Sequence, residues 1–314
     1  MDSLVAPGIG NDGVGLGHPN HGPRSVCVIV PVKNSPTLIR CLGSLTESSQ
    51  TPERVIVVDA STTPAEIPEG VARQLRLTLR HERTSQLQAK ALGASLANED
   101  LVLFLDADQW ASPGLVAELS LSSSEMVAVQ ERAVGSGLVP KLITLSGHFL
   151  WHKFREFPDL GVPVIPRIYS RELLQAGFAS LRADYGDLTG LPHLHEDSLL
   201  FAHVLRTLDG PRARVRKADA VIYHEVEGFN RVIRKAYYYG RDRGSHSGQG
   251  GGGAPQLRAP DRWLLERLDL YRWRPYVWPW VNVAGALYDG VRFPPFVAGY
   301  LRGSSGVREP ANFP

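Results

Sequence analysis

Residues 101–108 read LVLFLDAD. The five apolar residues are too few for a helix and show no polar alternation, which suits a strand buried on both faces of a parallel sheet. Asp106 and Asp108 follow at once, and Ser112-Pro113 stands where the next helix would be capped. The same pattern recurs on the N-terminal side. VCVIV at 26–30 is a second continuous β-branched run, with Pro31 as its stop. Ser35-Pro36 reads as an N-cap and first turn, and Leu38, Leu42 and Leu45 then repeat at helical spacing. VIVV at 55–58 is another strand, ending in Asp59, and 77–80 is a weaker one. The Ala- and Leu-rich stretch 86–97 reads as a helix. Strands alternating with helices predict an α/β fold, a mostly parallel sheet flanked by helices on both faces.

Regularity falls off further along. Residues 134–166 mix Gly, Pro, His and Trp and read as long loops; 171–176 and 198–208 read as helices and 220–223 as a strand. Four consecutive glycines at 250–253 make 244–260 a flexible linker or loop. The expected organisation is a disordered leader over 1–24, a folded domain over 25–243, the linker, and a C-terminal helical appendage over 261–314.

The 314 residues include 43% apolar and 21% charged side chains, which excludes wholesale disorder. A net charge of +2 gives no global reason to expect nucleic acid as a partner. The charge is unevenly spread, however. Residues 1–200 carry 16 basic and 22 acidic side chains, whereas 201–314 carry 18 and 10. A basic C-terminal part suits an anionic lipid head group or a phosphorylated substrate, or simply a solvated face. The two cysteines, Cys27 and Cys41, sit inside apolar runs and read as buried free thiols. The first 24 residues lack an apolar secretory core, and no run approaches the length of a spanning helix, so a cytoplasmic protein is expected.

In open α/β sheets, ligands bind beyond the carboxyl ends of the strands. Three polar clusters lie there: Pro31-Val32-Lys33-Asn34, Asp59-Ala60-Ser61 and Asp106-Ala107-Asp108. Two carboxylates two residues apart on one strand tip can hold a hard divalent cation, and the cation can hold a diphosphate. In order along the chain, VIVPVKN, VVDAS, the helical Gln88-Ala89-Lys90, LFLDAD and the later His195-Glu196-Asp197-Ser198 resemble the motif series of the family 2 glycosyltransferases of the GT-A (Rossmann-like) fold. Ile222-Tyr223-His224-Glu225 is similar to the family's strand-ending His. Residues 234–241, RKAYYYGR, look like the tail of its membrane-associated bacterial members.

The resemblance implies roles. Asp59 would contact the nucleobase of a UDP- or GDP-linked sugar donor, with Pro31 and Asn34 forming the wall beneath it and Lys33 among the donor-binding residues. Lys90 would neutralise the diphosphate and Asp106 would reach the ribose. Asp108, joined by His224, would ligate Mg²⁺ or Mn²⁺. Asp197 would be the general base for an inverting transfer, with Glu196 beside it on the helix N-terminus; which of the two acids acts stays open. Arg234, Lys235 and Arg241 would meet the acceptor or its phosphate. The Q-x-x-R-W signature of processive synthases is absent, which favours addition of a single sugar to a hydroxyl.

Four of the six tryptophans (Trp263, Trp273, Trp278, Trp280) lie in the last segment, interleaved with Arg262, Arg267, Arg272 and Arg274. Such a mixture suits a peripheral membrane contact or a core packed on the domain. The expected acceptor is therefore a glycan or polyprenyl-linked molecule of cell-envelope or polysaccharide synthesis, met at the inner face of the plasma membrane. A polyprenyl-phosphate glycosyltransferase and a non-catalytic nucleotide-sugar-binding protein are the alternative readings. A nucleotidyltransferase is disfavoured, since VPVKNSP has no glycine for a phosphate-binding loop.

Overall fold

Seven consecutive buried residues form β1 (Val26–Val32), and their side chains divide between the two faces of the sheet. Val26, Val28, Val30 and Val32 enter one apolar cluster, Cys27 and Ile29 the other. The chain is described here by a computed structural model covering residues 22–135, 137, 140–144, 165–188, 191, 196–208 and 215–226, with 230, 232–234, 236–238, 240–241, 291, 293–298 and 301–302 beyond. Around β1 the element order continues with α1 (Leu38–Thr46), β2 (Arg54–Asp59), α2 (Glu69–Gln74), β3 (Thr78–His81), α3 (Gln86–Leu96) and β4 (Leu101–Phe104). Then follow β5 (Gln109–Ala111), α4 (Leu115–Ser120), β6 (Met126–Val134), β7 (Ile168–Ser170), α5 (Arg171–Tyr185), α6 (Glu196–Arg206) and β8 (Val215–Glu225).

The strands form one sheet in the order β3-β2-β1-β4-β7-β6-β8-β5. β1, β2, β3 and β4 pair in parallel, as do β6 and β8, while β7 and β5 pair antiparallel with their neighbours. The α/β architecture and mostly parallel sheet expected from the sequence are therefore present. Helices α1 and α4 cover one face through Leu38, Cys41, Leu42, Leu45, Leu115, Val116 and Leu119. Helices α3, α5 and α6 cover the other through Leu87, Ala91, Leu174, Phe178, Leu181, Leu200 and Val204. Burying two continuous apolar faces this way is the main driving force for the fold. Both cysteines are buried free thiols, as expected.

Several local expectations are corrected. Pro31 does not end β1. Its fixed φ is compatible with extended backbone, and the strand runs on to Val32, whose carbonyl accepts from Ala60 N–H at 2.8 Å. Ser35 is not the cap of α1: Thr37 holds that position, and its hydroxyl donates to Ala107 O (2.8 Å) rather than capping the helix. Ser112 likewise leaves the cap of α4 to Gly114, and its Oγ accepts from Val221 N–H at 3.1 Å, tying the start of α4 to β8. Of the stretch read as loops, residues 140–144 are helical. Helix α5 runs nine residues beyond the expected end at 176, to Tyr185.

Three short or edge elements carry too little pattern to be read. β5 and β7 have three residues each, and α2 has no buried side chain. The faint third strand is β3, whose single neighbour and largely exposed side chains explain its weak apolar signal. No helix among the described residues is long and apolar enough to cross a membrane. Residues 1–21 of the expected leader (1–24), the linker over 244–260 and residues 261–290 of the expected C-terminal segment (261–314) lie outside the described residues, while Arg24 N–H donates to Ser120 O at 2.8 Å.

Candidate active site at the carboxyl ends of β1, β2 and β4

The parallel strands β2, β1 and β4 lie side by side, so Asp59, the Pro31–Asn34 turn and Asp106 emerge along one edge of the sheet. Asn34 takes a left-handed backbone, φ 50°, which asparagine tolerates better than most residues. Its N–H donates to Ser61 Oγ at 2.7 Å, and its side-chain carbonyl accepts from Thr62 N–H and the Thr62 hydroxyl, each at 3.3 Å. Lys33 and Asn34 remain exposed and Pro31 is buried. Asp59 is wholly buried. Its two oxygens accept from Ser61 N–H (2.8 Å) and Ala65 N–H (2.7 Å). Burial raises its pKa, but these hydrogen bonds and the nearby His81 outweigh that and hold the carboxyl below its usual range. Asp59 thus organises the turn after β2, and Lys33 and Asn34 are the exposed polar residues at this edge.

Beyond β4 lies a network of charges. Lys90, on α3, has no exposed surface, and its ammonium donates to Glu196 Oε1 at 2.8 Å and Asp197 Oδ1 at 2.6 Å. Helix α3 places it there. A capping box at Ser85, reciprocated by Gln88, fixes the start of the helix, and Lys90 follows on its buried face between Ala89 and Ala91. Burial lowers the Lys90 pKa, but Asp106, Asp197 and Glu196 more than reverse this and keep the amine protonated. Lys90 therefore faces the acid pair.

The two acids differ sharply. The Glu196 side chain is 6% exposed and that of Asp197 28%. Burial drives the Glu196 pKa up and Lys90 pulls it down; with Asp197 and Asp106 adding repulsion, it settles at about 7. Glu196 Oε2 is buried with no hydrogen-bond partner among the described residues. Asp197, being open to solvent, is the one of the pair that an outside hydroxyl can approach. His195, just before it, lies outside the described residues.

Arg167, which the sequence reading passed over, joins these groups. Its Nη1 lies 3.3 Å from Asp197 Oδ2 and 3.4 Å from Asp106 Oδ2, while Nε and Nη2 both bond Glu131 Oε1. Gln86 donates to the other oxygen of Asp106 at 3.1 Å. Burial raises the Asp106 pKa, yet Lys90 and Arg167 prevail and hold the carboxyl below its usual range. Arg167 had no signal in the sequence because its place depends on register. β7 runs antiparallel to β4 with Leu103 opposite Ile168, so Arg167 falls beside Phe104, whose N–H donates to its carbonyl at 2.9 Å.

On the outer side of Asp106, Asp108 Oδ2 meets His224 Nε2 at 3.1 Å, because β5 pairs antiparallel with β8 and places Gln109 opposite His224. Glu131 Oε2 lies 3.8 Å from the other ring nitrogen of His224. The side chains of Asp108 and His224 are 45% and 26% exposed. Among the described residues no group of three or more His, Cys, Asp or Glu is arranged to hold a metal ion. One carboxylate and one imidazole, open to solvent, nevertheless form a fitting donor set for a divalent cation completed by water and phosphate oxygens.

Arg40 stacks on Trp110 at 3.6 Å and bonds Glu225 at 3.2 Å, closing this side of the site. Arg234 is exposed, Arg241 packs over Tyr238 at 4.9 Å, and Lys235 lies outside the described residues. Neither arginine takes part in the hydrogen bonds or ion pairs of Lys90, Asp106, Glu196 or Asp197.

A family model described as Glycosyl transferase family 2 matches residues 27–132, from β1 into β6. No curated protein matches the chain. Among solved structures it is similar to S. aureus TarS, with 17% identity over 91% of this chain and a TM-score of 0.47; it spans 55% of TarS. It is also similar to the mannosyltransferase PcManGT from Pyrobaculum calidifontis in complex with GDP-Man and Mn²⁺, with 21% identity over 91% of this chain and 87% of that one, at a TM-score of 0.48. A third is glucosyl-3-phosphoglycerate synthase from Mycobacterium tuberculosis in complex with Mn²⁺, UDP and glucosyl-3-phosphoglycerate. It is 19% identical over 67% of this chain and 75% of that one, at a TM-score of 0.41.

Proposed function

We propose, for a chain whose residues 27–132 match the family model described as Glycosyl transferase family 2, an inverting transfer of one sugar from a nucleoside-diphosphate-sugar to a hydroxyl acceptor, with Asp197 as general base. The observation that carries this reading is the pairing of Asp197 with Asp106 through Arg167 Nη1, at 3.3 and 3.4 Å. A partly exposed carboxylate is thereby held next to the strand tip where the donor would bind, while its neighbour Glu196 is buried and tied to Lys90.

In this reading the acceptor oxygen attacks the anomeric carbon from the side opposite the diphosphate. The bond between that carbon and the diphosphate oxygen breaks as the new glycosidic bond forms, and Asp197 takes the acceptor's proton. Lys90 and Arg167 each bind one oxygen of Asp197, which fixes its direction. Asp106 would face the ribose, and Lys33 and Asn34, which are exposed, would offer polar groups at the nucleotide end. Asp108 and His224 would hold Mg²⁺ or Mn²⁺, which supplies positive charge opposite the departing nucleoside diphosphate.

A glycan or polyprenyl-linked acceptor in cell-envelope or polysaccharide synthesis, and a cytoplasmic enzyme working at a membrane face, follow from the aromatic and basic composition of 261–314. A panel of UDP- and GDP-sugars, each with Mn²⁺, Mg²⁺ or chelator, tests the donor side by calorimetry and by nucleoside diphosphate release. Metal-dependent binding and turnover of one donor, weakened in Asp108→Ala and abolished as turnover in Asp197→Asn, is the expected result. Binding without turnover for every donor and acceptor offered would instead mark a nucleotide-sugar-binding protein. Full turnover by Asp197→Asn would point to an acceptor that needs no base, such as a lipid phosphate.

A further inference from the structure

The proposed chemistry uses Arg167 only as a partner of Asp197, although it binds more carboxylates than any other cation in the site. Its side chain is 14% exposed and it spends its donors on three separate acids. Glu131 occupies Nε and Nη2 through one oxygen, which leaves Nη1 aimed between Asp106 and Asp197. The backbone is pinned on both sides: Arg167 N–H donates to Val127 O at 3.1 Å, and its carbonyl accepts from Phe104 N–H at 2.9 Å. The guanidinium is thus launched from a residue hydrogen-bonded to the end of β4, two residues before Asp106. Asp197 in turn has Oδ1 on Lys90 and Oδ2 on Arg167, so the two cations together fix its plane. A flexible ammonium at 167 would supply the charge without the planar fork that reaches three acids at once.

We propose that Arg167 is a positioning residue for sugar transfer, tying the base Asp197 to the donor-side carboxylate Asp106 so that the base meets an acceptor only in register with a bound donor. The inference rests on the reading of Asp197 as the base. Arg167 acts through Asp197 and does not itself touch the reacting atoms.

The test uses the full chain as wild type, R167Q, R167K, D197N and the R167Q/D197N double variant. Donor affinity is measured by calorimetry with UDP- and GDP-sugars plus Mn²⁺, and turnover by nucleoside diphosphate release. Misplacing a catalytic group by about 1 Å can cost ~100-fold in rate. R167Q is therefore expected to lose about 10- to 100-fold in kcat while its donor Kd stays within about threefold, and R167K to fall between R167Q and wild type. The double variant should be no slower than D197N, since a positioning residue has nothing left to position.

Unchanged kcat in R167Q overturns the inference. So does an equal further loss when R167Q is added to D197N, which would mark a general structural role. Should R167Q fail to fold, R167K decides: full wild-type kcat in a folded R167K overturns the inference. A wild type that binds donors but never turns one over overturns the transferase reading and this inference with it. Turnover that survives D197N overturns the choice of base and, with it, the role of Arg167.

Discussion

Replacing Lys90 with methionine keeps most of the apolar stem and removes the only cation among the described residues that touches Glu196. The ammonium is wholly buried, 2.8 Å from Glu196 and 2.6 Å from Asp197, so its loss leaves Glu196 with no counter-charge and Asp197 with Arg167 alone among the described residues. Breaking a buried pair by removing one partner costs about 3–5 kcal/mol, because a charge is left in a poorly solvating place. Part of that cost depends on pH. With Lys90 present, Glu196 already holds its proton to about pH 7. Its value in the unfolded chain is about 4.3, so folding takes up a proton between these two pH values, and Glu196's contribution to stability falls as pH rises through that window.

Without Lys90 the folded value rises further, and the variant keeps losing stability above pH 7 where the wild type has levelled off. At pH 8 that extra loss is bounded near 1.4 kcal/mol, the free energy of about one more pH unit of retained proton. Urea denaturation of both proteins at pH 5.5 and pH 8 checks this. Lys90→Met should lose about 3–5 kcal/mol at pH 8 and roughly 1 kcal/mol less at pH 5.5. A loss below about 1 kcal/mol at pH 8, or a larger loss at pH 5.5 than at pH 8, would refute the account of Lys90 as the counter-charge that the acid pair requires.

Three further outcomes follow from the same geometry. Asp197→Asn should reduce sugar transfer by about 10²–10⁴-fold, the range typical of a lost general base, whereas Glu196→Gln should cost less than about tenfold, as steady-state rates at pH 8 would reveal. Gly177→Ala should destabilise the protein by about 1–3 kcal/mol in thermal or urea melts, since a Cβ there would lie 2.4 Å from Val204 Cγ2 and force α5 and α6 apart. Burial pushes both thiol pKa values up, with Glu99 adding to the effect at Cys27 and Asp106 and Asp108 adding to it at Cys41. Titration with a thiol reagent at pH 8 should therefore find neither cysteine in the native protein and both after unfolding.

The sheet centre was legible because β1, β2 and β4 are buried on both faces and write that fact as unbroken apolar runs. The acids that follow them were legible for the same reason, since a polar residue directly after such a run must stand at the strand's carboxyl end. Cap positions were less legible. Ser35 and Ser112 are good capping residues by type, but the hydroxyls of Thr37 and Ser112 turn to partners 70 and 109 residues away, Ala107 and Val221, which local preference does not encode. β5 and β7, three residues each, are too short to show a period and exist because neighbouring strands offer them a ladder.

By itself the sequence determined the strands β1, β2 and β4, the helices α1 and α3, the two-sided core and the candidates Asp106 and Asp108, because periodicity and strand ends are local properties of the chain; Asp197 entered only through the resemblance of its motif to that of a family. Only the tertiary structure decided that Lys90 serves the acid pair, that Asp59 spends both oxygens on its own turn, that Asp197 is open where Glu196 is buried, and that Arg167 joins them. Those assignments are fixed by which residues face one another across antiparallel pairings and packed helices. A side chain's charge state and reach depend on those neighbours, and neighbours distant in sequence leave no trace in local pattern.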